Sequence, residues 1–270
     1  MAATLSEEQN EGFRAEWRAC EPRPELSRWA AIALALAERA GQRARGVQCV
    51  ELPGAPFEVA AKVGRGSPWK RRLRSWIGAP CRSERAWRVA CALERAGIPA
   101  PRPLGWVSSA DGSLDVYLAE WIEAPSLADR LRTEGSAHAP QAGDVDIGNF
   151  IDRAGAVVAA LHAANFTHRD LKAANLLARA REGVPEVLVT DLDGARSRAT
   201  VPALRRRARD LGRLRASLEA LGASSQISTL LAGYVRRIGS EADLRTLESA
   251  TARYAAKKRA INERRGRPLE

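Results

Sequence analysis

The sequence predicts an α+β protein with two lobes, a small β-rich N-terminal lobe and a compact helical C-terminal lobe. Residues 168–175 read HRDLKAAN, and an apolar helical stretch at residues 157–162 leads into them. Short apolar runs suited to strands follow at residues 176–178 and 187–190, and the second run ends at Asp191. Upstream, apolar strand patterns flank a single helical pattern. A catalytic loop followed by a metal-binding aspartate requires this order of helix, loop, strand, turn and strand.

The chain is predicted to begin with an extension over residues 1–44, which is charged at its start and helical at residues 26–40. The apolar part of this helix is too short to cross a bilayer, which takes about 20 residues. Acidic residues precede it and it does not start near the N-terminus, so we do not expect a signal peptide. The N-lobe is predicted to follow over residues 45–123.

An apolar strand at residues 57–63 (FEVAAKV) carries Lys62 near its end. Lysines on strands are usually exposed to solvent. Upstream of the catalytic-loop pattern, however, this strand resembles the Val-Ala-x-Lys strand of kinases, whose lysine contacts the α- and β-phosphates of ATP. A helix over residues 83–97 should come next, with a serine cap and a terminal glycine. Its Glu84 is the predicted partner of Lys62.

The last strand of the N-lobe is predicted at residues 114–122, and its end is expected to form the adenine hinge. Backbone groups of Glu120 and Ile122 are expected to bond the adenine edge of ATP. The order of the elements along the chain is the reason for this assignment. The C-lobe is predicted over residues 124–254, followed by a basic tail over residues 255–270.

Three polar side chains of the C-lobe fit phosphoryl transfer from ATP. Asp170 can accept the proton of the attacking hydroxyl. Asn175 and Asp191 supply hard oxygen ligands that can hold Mg²⁺ against the phosphates. A solvated His-Arg-Asp turn and an unrelated Asp-Leu-Asp turn would look alike in isolation, but the surrounding helix and strand patterns argue against that interpretation. The sequence therefore predicts a phosphotransferase that uses ATP and Mg²⁺.

The chain resembles the bacterial lipopolysaccharide kinase family, whose members phosphorylate Kdo or heptose of the inner core. The resemblance covers about residues 45–240. Besides Lys62 and the catalytic loop, it rests on residues 97–104 (GIPAPRPL), 120–123 (EWIE), 191–193 (DLD), 207–218 and 230–234. It implies a bilobal protein-kinase-like fold, ATP and Mg²⁺ as cofactors, and an anionic glycolipid or sugar as the acceptor.

Some positions depart from the pattern of that family. Residues 168–172 (HRDLK) are closer to protein kinases, in which the lysine, here Lys172, contacts the transferred phosphoryl group. By this resemblance Lys172 and Arg169 stabilise the γ-phosphoryl group or the loop, while His168 packs the loop. Gly194 stands where the family often has arginine, and no G-x-G-x-x-G sequence is present.

The charge of the chain favours anionic partners. The formal net charge is +11 at pH 7 and the pI is about 10.3, with basic clusters at residues 70–74, 205–207 and 257–259. A solvated arginine-rich surface explains the clusters as well as a polyanion-binding surface does. No nucleic-acid-binding module accompanies them, so we expect no specific nucleic acid. Four cysteines without metal-ligand spacing fit a cytoplasmic protein, and we also expect a peripheral contact with the negatively charged inner membrane.

Three other functions stay open at this point. A small-molecule or antibiotic phosphotransferase would share the same fold and would phosphorylate soluble acceptors. A compact Ser/Thr protein kinase is suggested by HRDLK, but the chain after Asp191 is short for one and contains no Ala-Pro-Glu. A non-catalytic kinase-like binding protein would be expected to lack part of the set Lys62, Asp170, Asn175 and Asp191, all of which are present.

Overall fold

The computed structural model divides the chain into two compact units. The residues it describes are 5–10, 13–18, 30–35, 47–65, 76, 79–134, 145–238 and 243–266. The first unit comprises Met1–Ala92 and Pro101–Ile122, and the second comprises Leu93–Ala100 and Glu123–Glu270. The basic cluster at residues 70–74 lies outside the described residues.

The first unit is built on one six-stranded antiparallel sheet. Its strands are β1 (Leu5–Asn10), β2 (Phe13–Arg18), β3 (Val47–Val50), β4 (Val59–Arg65), β5 (Pro103–Ser109) and β6 (Leu114–Glu120). Their order across the sheet is β1-β2-β5-β6-β4-β3. Strands β4 and β6 lie side by side, so the lysine strand and the predicted hinge strand are direct neighbours.

The first part of the predicted extension over residues 1–44 belongs to this sheet. Strands β1 and β2 form a hairpin, and β2 pairs with β5 from Phe13 opposite Ser109 to Trp17 opposite Gly105. The two strands are rich in charged residues, a composition that by itself favours an extension rather than a sheet. Their place is set by a strand far away in the sequence. Within the helix predicted at residues 26–40, the described residues 30–35 are helical.

The core of the first unit combines one face of the sheet with residues 30–35. Because side chains alternate along a strand, Val59 and Ala61 of β4 are buried in this core, while Lys62 projects to the opposite face and is half-buried. The other buried members are Ala30, Ala33, Val50, Leu52, Leu104, Val107, Val116 and Leu118. The sheet thus presents the lysine on the face away from its own core.

The second unit is mainly helical. Helix α1 (Arg82–Arg95) begins in the first unit and ends in the second. The other helices are α2 (Leu127–Glu134), α3 (Ile147–Ala163), α4 (Leu204–Ala220), α5 (Ile227–Ile238) and α6 (Asp243–Arg264). The strands are β7 (Phe166–His168), β8 (Leu176–Arg181), β9 (Val184–Val189) and β10 (Ala195–Ser197). Strand β7 pairs with β10 and β8 pairs with β9, both antiparallel.

Glycines allow the helices of the second unit to pack at backbone distance. A Cβ atom on Gly155 of α3 would overlap the carbonyl of Leu230, and one on Gly233 of α5 would overlap the carbonyl of Asp152. Helices α4 and α6 approach in the same way at Gly212. These crossings bring α3 close to α5 and α4 close to α6, and α4 contacts the loop that carries the predicted catalytic residues.

Helix α6 continues as far as Arg264, so the described part of the tail predicted over residues 255–270 is helical. Leu247 and Ala255 are buried and pack α6 against the rest of the second unit. Among the described helices, none combines the length and the apolar composition that crossing a membrane requires.

Candidate active site

Lys62 lies on the central part of the first unit's sheet. It stands opposite Val47 of β3 and opposite Tyr117 of β6. Its backbone is therefore fixed from both sides by strand pairing, which limits the positions that its ammonium group can reach.

Glu84 is held within the first turn of α1. Its Oε2 accepts a hydrogen bond from the backbone N–H of Cys81 at 3.3 Å, and its own N–H donates to Cys81 Sγ at 3.3 Å. This reciprocal arrangement is a capping box with cysteine in the place of serine. Glu84 Oε1 also accepts from Arg88 at 2.6 Å. Burial raises the pKa of Cys81 to about 12, so its thiol stays protonated and serves as a cap.

A buried carboxylate joins the start of α1 to the sheet. Asp115 of β6 accepts hydrogen bonds from the backbone N–H of Ser83, at 3.1 Å, and from the Ser83 hydroxyl. The carboxylate also lies against Gly64 of β4, where a Cβ atom would overlap it. Asp115 therefore fixes the end of α1 that carries Glu84.

The end of β6 is tied to neighbouring segments of the first unit. The Glu120 N–H donates to Arg102 O at 2.8 Å, and the Trp121 N–H donates to Glu58 O at 2.7 Å. Ile122 is buried. The Glu120 N–H is thus already used, and the adenine contacts expected of Glu120 and Ile122 stay predictions.

In the second unit, the start of the catalytic loop is held next to the paired strands β7 and β10. Strand β7 ends at His168, which stands opposite Ala195 of β10. The Arg169 N–H donates to Gly194 O at 3.0 Å. Arg169 and Asp170 are both exposed, so the Asp170 carboxylate is accessible to an acceptor hydroxyl.

The structure brings Asp170, Asn175 and Asp191 together. Asn175 Nδ2 donates to the Asp170 carbonyl at 2.8 Å and lies 3.5 Å from Asp191 Oδ2. The Asn175 carbonyl in turn accepts from the Thr190 N–H at 2.9 Å and from the Thr190 hydroxyl at 3.0 Å. Thr190 therefore connects the strand that precedes Asp191 to the loop that carries Asn175.

Asp191 has a left-handed backbone, with φ of 57°. Non-glycine residues seldom adopt this conformation, and such strained positions are concentrated at functional sites. A 3-10 turn over Leu192–Gly194 follows directly, and the Gly194 N–H donates to the Asp191 carbonyl at 3.2 Å. This sharp change of direction turns the Asp191 side chain out of the line of β9.

His168 and Asp210 support the loop from beneath. Asp210 of α4 accepts from the His168 N–H at 2.8 Å through Oδ2 and from Arg213 at 2.8 Å through Oδ1. His168 Nε2 donates to the Thr190 carbonyl at 3.1 Å. Because the ring is buried, the pKa of His168 is lowered. His168 thus has the packing role predicted for it, as a neutral ring.

A second buried histidine completes this support. His162 of α3 lies with Nε2 3.5 Å from Asp210 Oδ2, and its Nδ1 is hydrogen-bonded to the Tyr234 hydroxyl at 2.9 Å. The His162 ring of α3 therefore lies between Asp210 of α4 and Tyr234 of α5. Asp210 and Thr190 were missed by sequence reasoning. The signal available for Asp210 was an acidic residue in an otherwise arginine-rich helix.

Lys172 and Arg169 flank the catalytic aspartate in the chain. Lys172 is half-buried and extended, with φ of −149°, and it precedes the 3-10 turn Ala173–Asn175. Arg169 is exposed. The contacts with the γ-phosphoryl group expected of these two residues stay predictions.

The oxygen atoms at this site fit Mg²⁺. The Asn175 amide nitrogen donates a hydrogen bond to the Asp170 carbonyl. Oδ1 is therefore the side-chain atom of Asn175 that can bind a cation. The Asp191 carboxylate lies beside the same side chain, with Oδ2 3.5 Å from Asn175 Nδ2. Magnesium prefers such hard oxygen ligands and is commonly held by one or two protein groups together with substrate phosphates.

This chain is similar to known proteins in sequence and in structure. The profile described as "Lipopolysaccharide kinase (Kdo/WaaP) family" matches residues 58–234, more than half of the chain. No curated protein matches the sequence. A solved structure of WaaP in complex with acyl carrier protein aligns with a TM-score of 0.56 and 19% identity, covering 80% of this chain and 86% of that chain. The Mycobacterium tuberculosis PknI kinase domain aligns with a TM-score of 0.44 and 17% identity, covering 79% of this chain and 93% of that chain.

The alignment with WaaP confirms the predicted fold class, a protein-kinase-like fold with a β-rich first part and a helical second part. The family match extends from the lysine strand to α5, so it contains every predicted catalytic and metal-binding residue. The chain therefore belongs to the lipopolysaccharide kinase (Kdo/WaaP) family and is an ATP-dependent phosphotransferase.

Proposed function

We propose that this kinase transfers the γ-phosphoryl group of ATP to a sugar hydroxyl of the lipopolysaccharide inner core, on Kdo or heptose, with Mg²⁺ as cofactor. The observation that carries the proposal is the grouping of Asp170, Asn175 and Asp191 within one unit of a lipopolysaccharide kinase family member. Phosphoryl transfer needs a proton acceptor and metal ligands within a few ångströms of each other.

In this proposal Asp170 accepts or orients the proton of the acceptor hydroxyl, because its carboxylate is exposed at the head of the loop. Asn175 Oδ1 and the Asp191 carboxylate hold Mg²⁺, which offsets negative charge on the phosphates when it is bound. Lys172 and Arg169 add positive charge near the transferred group. His168, Asp210 and Thr190 keep these side chains in place.

The nucleotide is assigned to residues of the first unit. Lys62 contacts the α- and β-phosphates, and Glu84 at the capped start of α1 is its proposed partner. The backbone at Glu120 and Ile122 binds the adenine edge. Fixed strand pairing around Lys62 and the Asp115–Ser83 connection support a rigid arrangement of these groups, and such preorganisation lowers the cost of binding.

The proposed acceptor is anionic, which suits the basic surface of the second unit. Arg205, Arg206 and Arg209 are exposed on α4, and Arg253 and Lys257 are exposed on α6. Arg205 donates to the Tyr254 hydroxyl at 3.2 Å and so joins the two helices. We call these five residues the α4–α6 basic surface. A peripheral contact with the inner membrane from the cytoplasmic side would place this surface against anionic headgroups.

Transfer of label from γ-labelled ATP tests the proposed reaction. With Mg²⁺ and a lipopolysaccharide core extract, we expect label in the glycolipid. Asp191→Ala should abolish it, and Asp170→Asn should reduce turnover by a factor of about 10² or more, the scale of general-base effects. Asp152→Asn is the matched control, since this carboxylate lies on α3 and pairs with Arg236.

Other outcomes separate the alternatives. Unchanged turnover in Asp191→Ala would overturn the metal assignment, and unchanged turnover in Asp170→Asn would make that residue structural. Label that enters cell protein alone would identify a protein kinase. Label that enters soluble hydroxylated compounds alone would identify a small-molecule phosphotransferase.

A further inference from the structure

Ser217 of α4 reaches the catalytic loop directly. Its hydroxyl oxygen accepts a hydrogen bond from the backbone N–H of Ala173 at 2.9 Å and donates its own proton to Leu214 O at 2.9 Å. Ser217 and Ala173 are both fully buried, so solvent does not offer either group another partner. The hydroxyl is oriented by its own helix, with an acceptor lone pair directed at the loop.

Ala173 is the first residue of the 3-10 turn that ends at Asn175. The first N–H groups of a helical turn have no partner within the turn, and Ser217 supplies the partner for Ala173. The Asn175 N–H bonds Lys172 O at 2.9 Å across the same turn. The position of Asn175 therefore depends on how the start of the turn is held.

Helix α4 thus holds the loop at two points. Asp210 fixes His168 before the catalytic aspartate, and Ser217, two helical turns further along α4, fixes Ala173 after it. The turn that ends at Asn175 is also held by the bonds from Thr190 to the Asn175 carbonyl. The contact with Ser217 restrains the end of the loop that carries Asn175.

We propose that Ser217 is a positioning residue for phosphoryl transfer, because its bond to Ala173 fixes the turn that presents Asn175 to Mg²⁺. This inference rests on the proposed function, in which Asn175 is a metal ligand. In this proposal Ser217 acts through the geometry of the turn and not through contact with the nucleotide or the metal.

The variant Ser217→Ala tests the proposal. It leaves the buried Ala173 N–H without its acceptor, and the turn must shift to find another partner. In the full chain, binding of a fluorescent ATP analogue is followed as Mg²⁺ is titrated. We expect the Mg²⁺ concentration for half-maximal binding to rise about tenfold, which corresponds to about 1.4 kcal/mol.

Thr251→Val is the matched control. Thr251 is also fully buried, and its hydroxyl also donates to the carbonyl three residues earlier, Glu248 O, at 3.0 Å, but it lies on α6. Both variants should lower the melting temperature, and only Ser217→Ala should change the Mg²⁺ requirement. If Ser217→Ala does not fold, Ser217→Cys keeps a side chain of similar volume with a weaker acceptor, and a smaller increase in the same direction is expected.

An unchanged Mg²⁺ requirement in a folded Ser217 variant would overturn the inference and leave the proposed function intact. An equal change in Thr251→Val would also overturn it, because the effect would then follow from general loosening. If the wild-type chain shows no Mg²⁺-dependent nucleotide binding, the proposed function and the inference both fail.

Discussion

His168 shows how a single residue joins the loop to its support. Its backbone N–H bonds Asp210, its ring donates to Thr190 O, and the ring is fully buried. Since Nε2 carries the proton, a second proton would have to go to Nδ1. Among the described residues no side chain or carbonyl bonds Nδ1, which is buried. A charged His168 would therefore disrupt the site.

This arrangement predicts that acid weakens the fold through His168. Burial lowers its folded-state pKa, and the nearby carboxylates of Asp191, Asp210 and Asp170 oppose this less strongly. Below pH of about 6.5 the unfolded chain binds the proton more readily than the folded chain, so the free energy of unfolding decreases as pH falls. Denaturant melts between about pH 7.5 and about pH 5.5 measure this dependence.

His168→Phe is the comparison for that measurement, because its ring is similar in size and does not titrate. Carboxylates elsewhere contribute equally to both proteins. The wild type should therefore lose stability more steeply than the variant as pH falls. Parallel pH profiles would show that His168 does not titrate in this range.

At the scale of elements, the packing of α3 against α5 depends on two glycines. The helices touch where Gly155 faces the Leu230 carbonyl and Gly233 faces the Asp152 carbonyl. The same contact brings Tyr234 of α5 within hydrogen-bonding distance of His162 on α3. The close crossing therefore also positions the His162 ring, whose Nε2 lies 3.5 Å from Asp210 Oδ2.

We predict that Gly155→Ala destabilises the protein by about 1–3 kcal/mol, the usual cost of overpacking. The added methyl group would overlap a backbone carbonyl that cannot rotate away, so the helices must separate. Ala163→Ser, a change of similar size at an exposed position of α3, is the control and should have little effect. The melting temperatures of the Gly155→Ala and Ala163→Ser variants are compared. Similar values would mean that the helices accommodate the added methyl group without loss of stability.

At the scale of the whole molecule, the net charge of +11 is the dominant property. Part of it is displayed on the α4–α6 basic surface, and α4 also carries the Asp210 and Ser217 contacts to the loop. Attraction to an anionic surface is worth about 1 kcal/mol for each basic residue close to it.

We therefore expect binding to vesicles that contain phosphatidylglycerol, with an affinity that falls as salt is raised. Changing Arg206 and Arg209 together to Gln should weaken this binding about tenfold or more. The same change at Arg153 and Arg181, which are exposed elsewhere in the second unit, provides the control. Binding is measured by sedimentation with the vesicles. An equal loss of binding in both double variants would mean that the attraction is not localised to the α4–α6 basic surface.

The sequence by itself determined the chemistry and the fold class. Asp170 and Asn175 lie within one short loop, and Asp191 follows the strand pair that comes next, so local chain geometry is enough to bring them together. The alternation along β4 likewise determines that Lys62 and the buried Ala61 point to opposite faces. Both features can be predicted from the sequence, because they depend only on the spacing of nearby residues and on the periodicity of a strand.

Only the tertiary structure decided what holds the site. Strands β1 and β2 are highly charged, and pairing with the distant β5 makes them part of the sheet. Asp210 and Ser217 lie on an arginine-rich helix, and their roles follow from contacts with residues 42 and 44 positions away in sequence. Contacts of this kind depend on helix packing that no local pattern encodes, because the close approach of α3, α4 and α5 is set by the whole core.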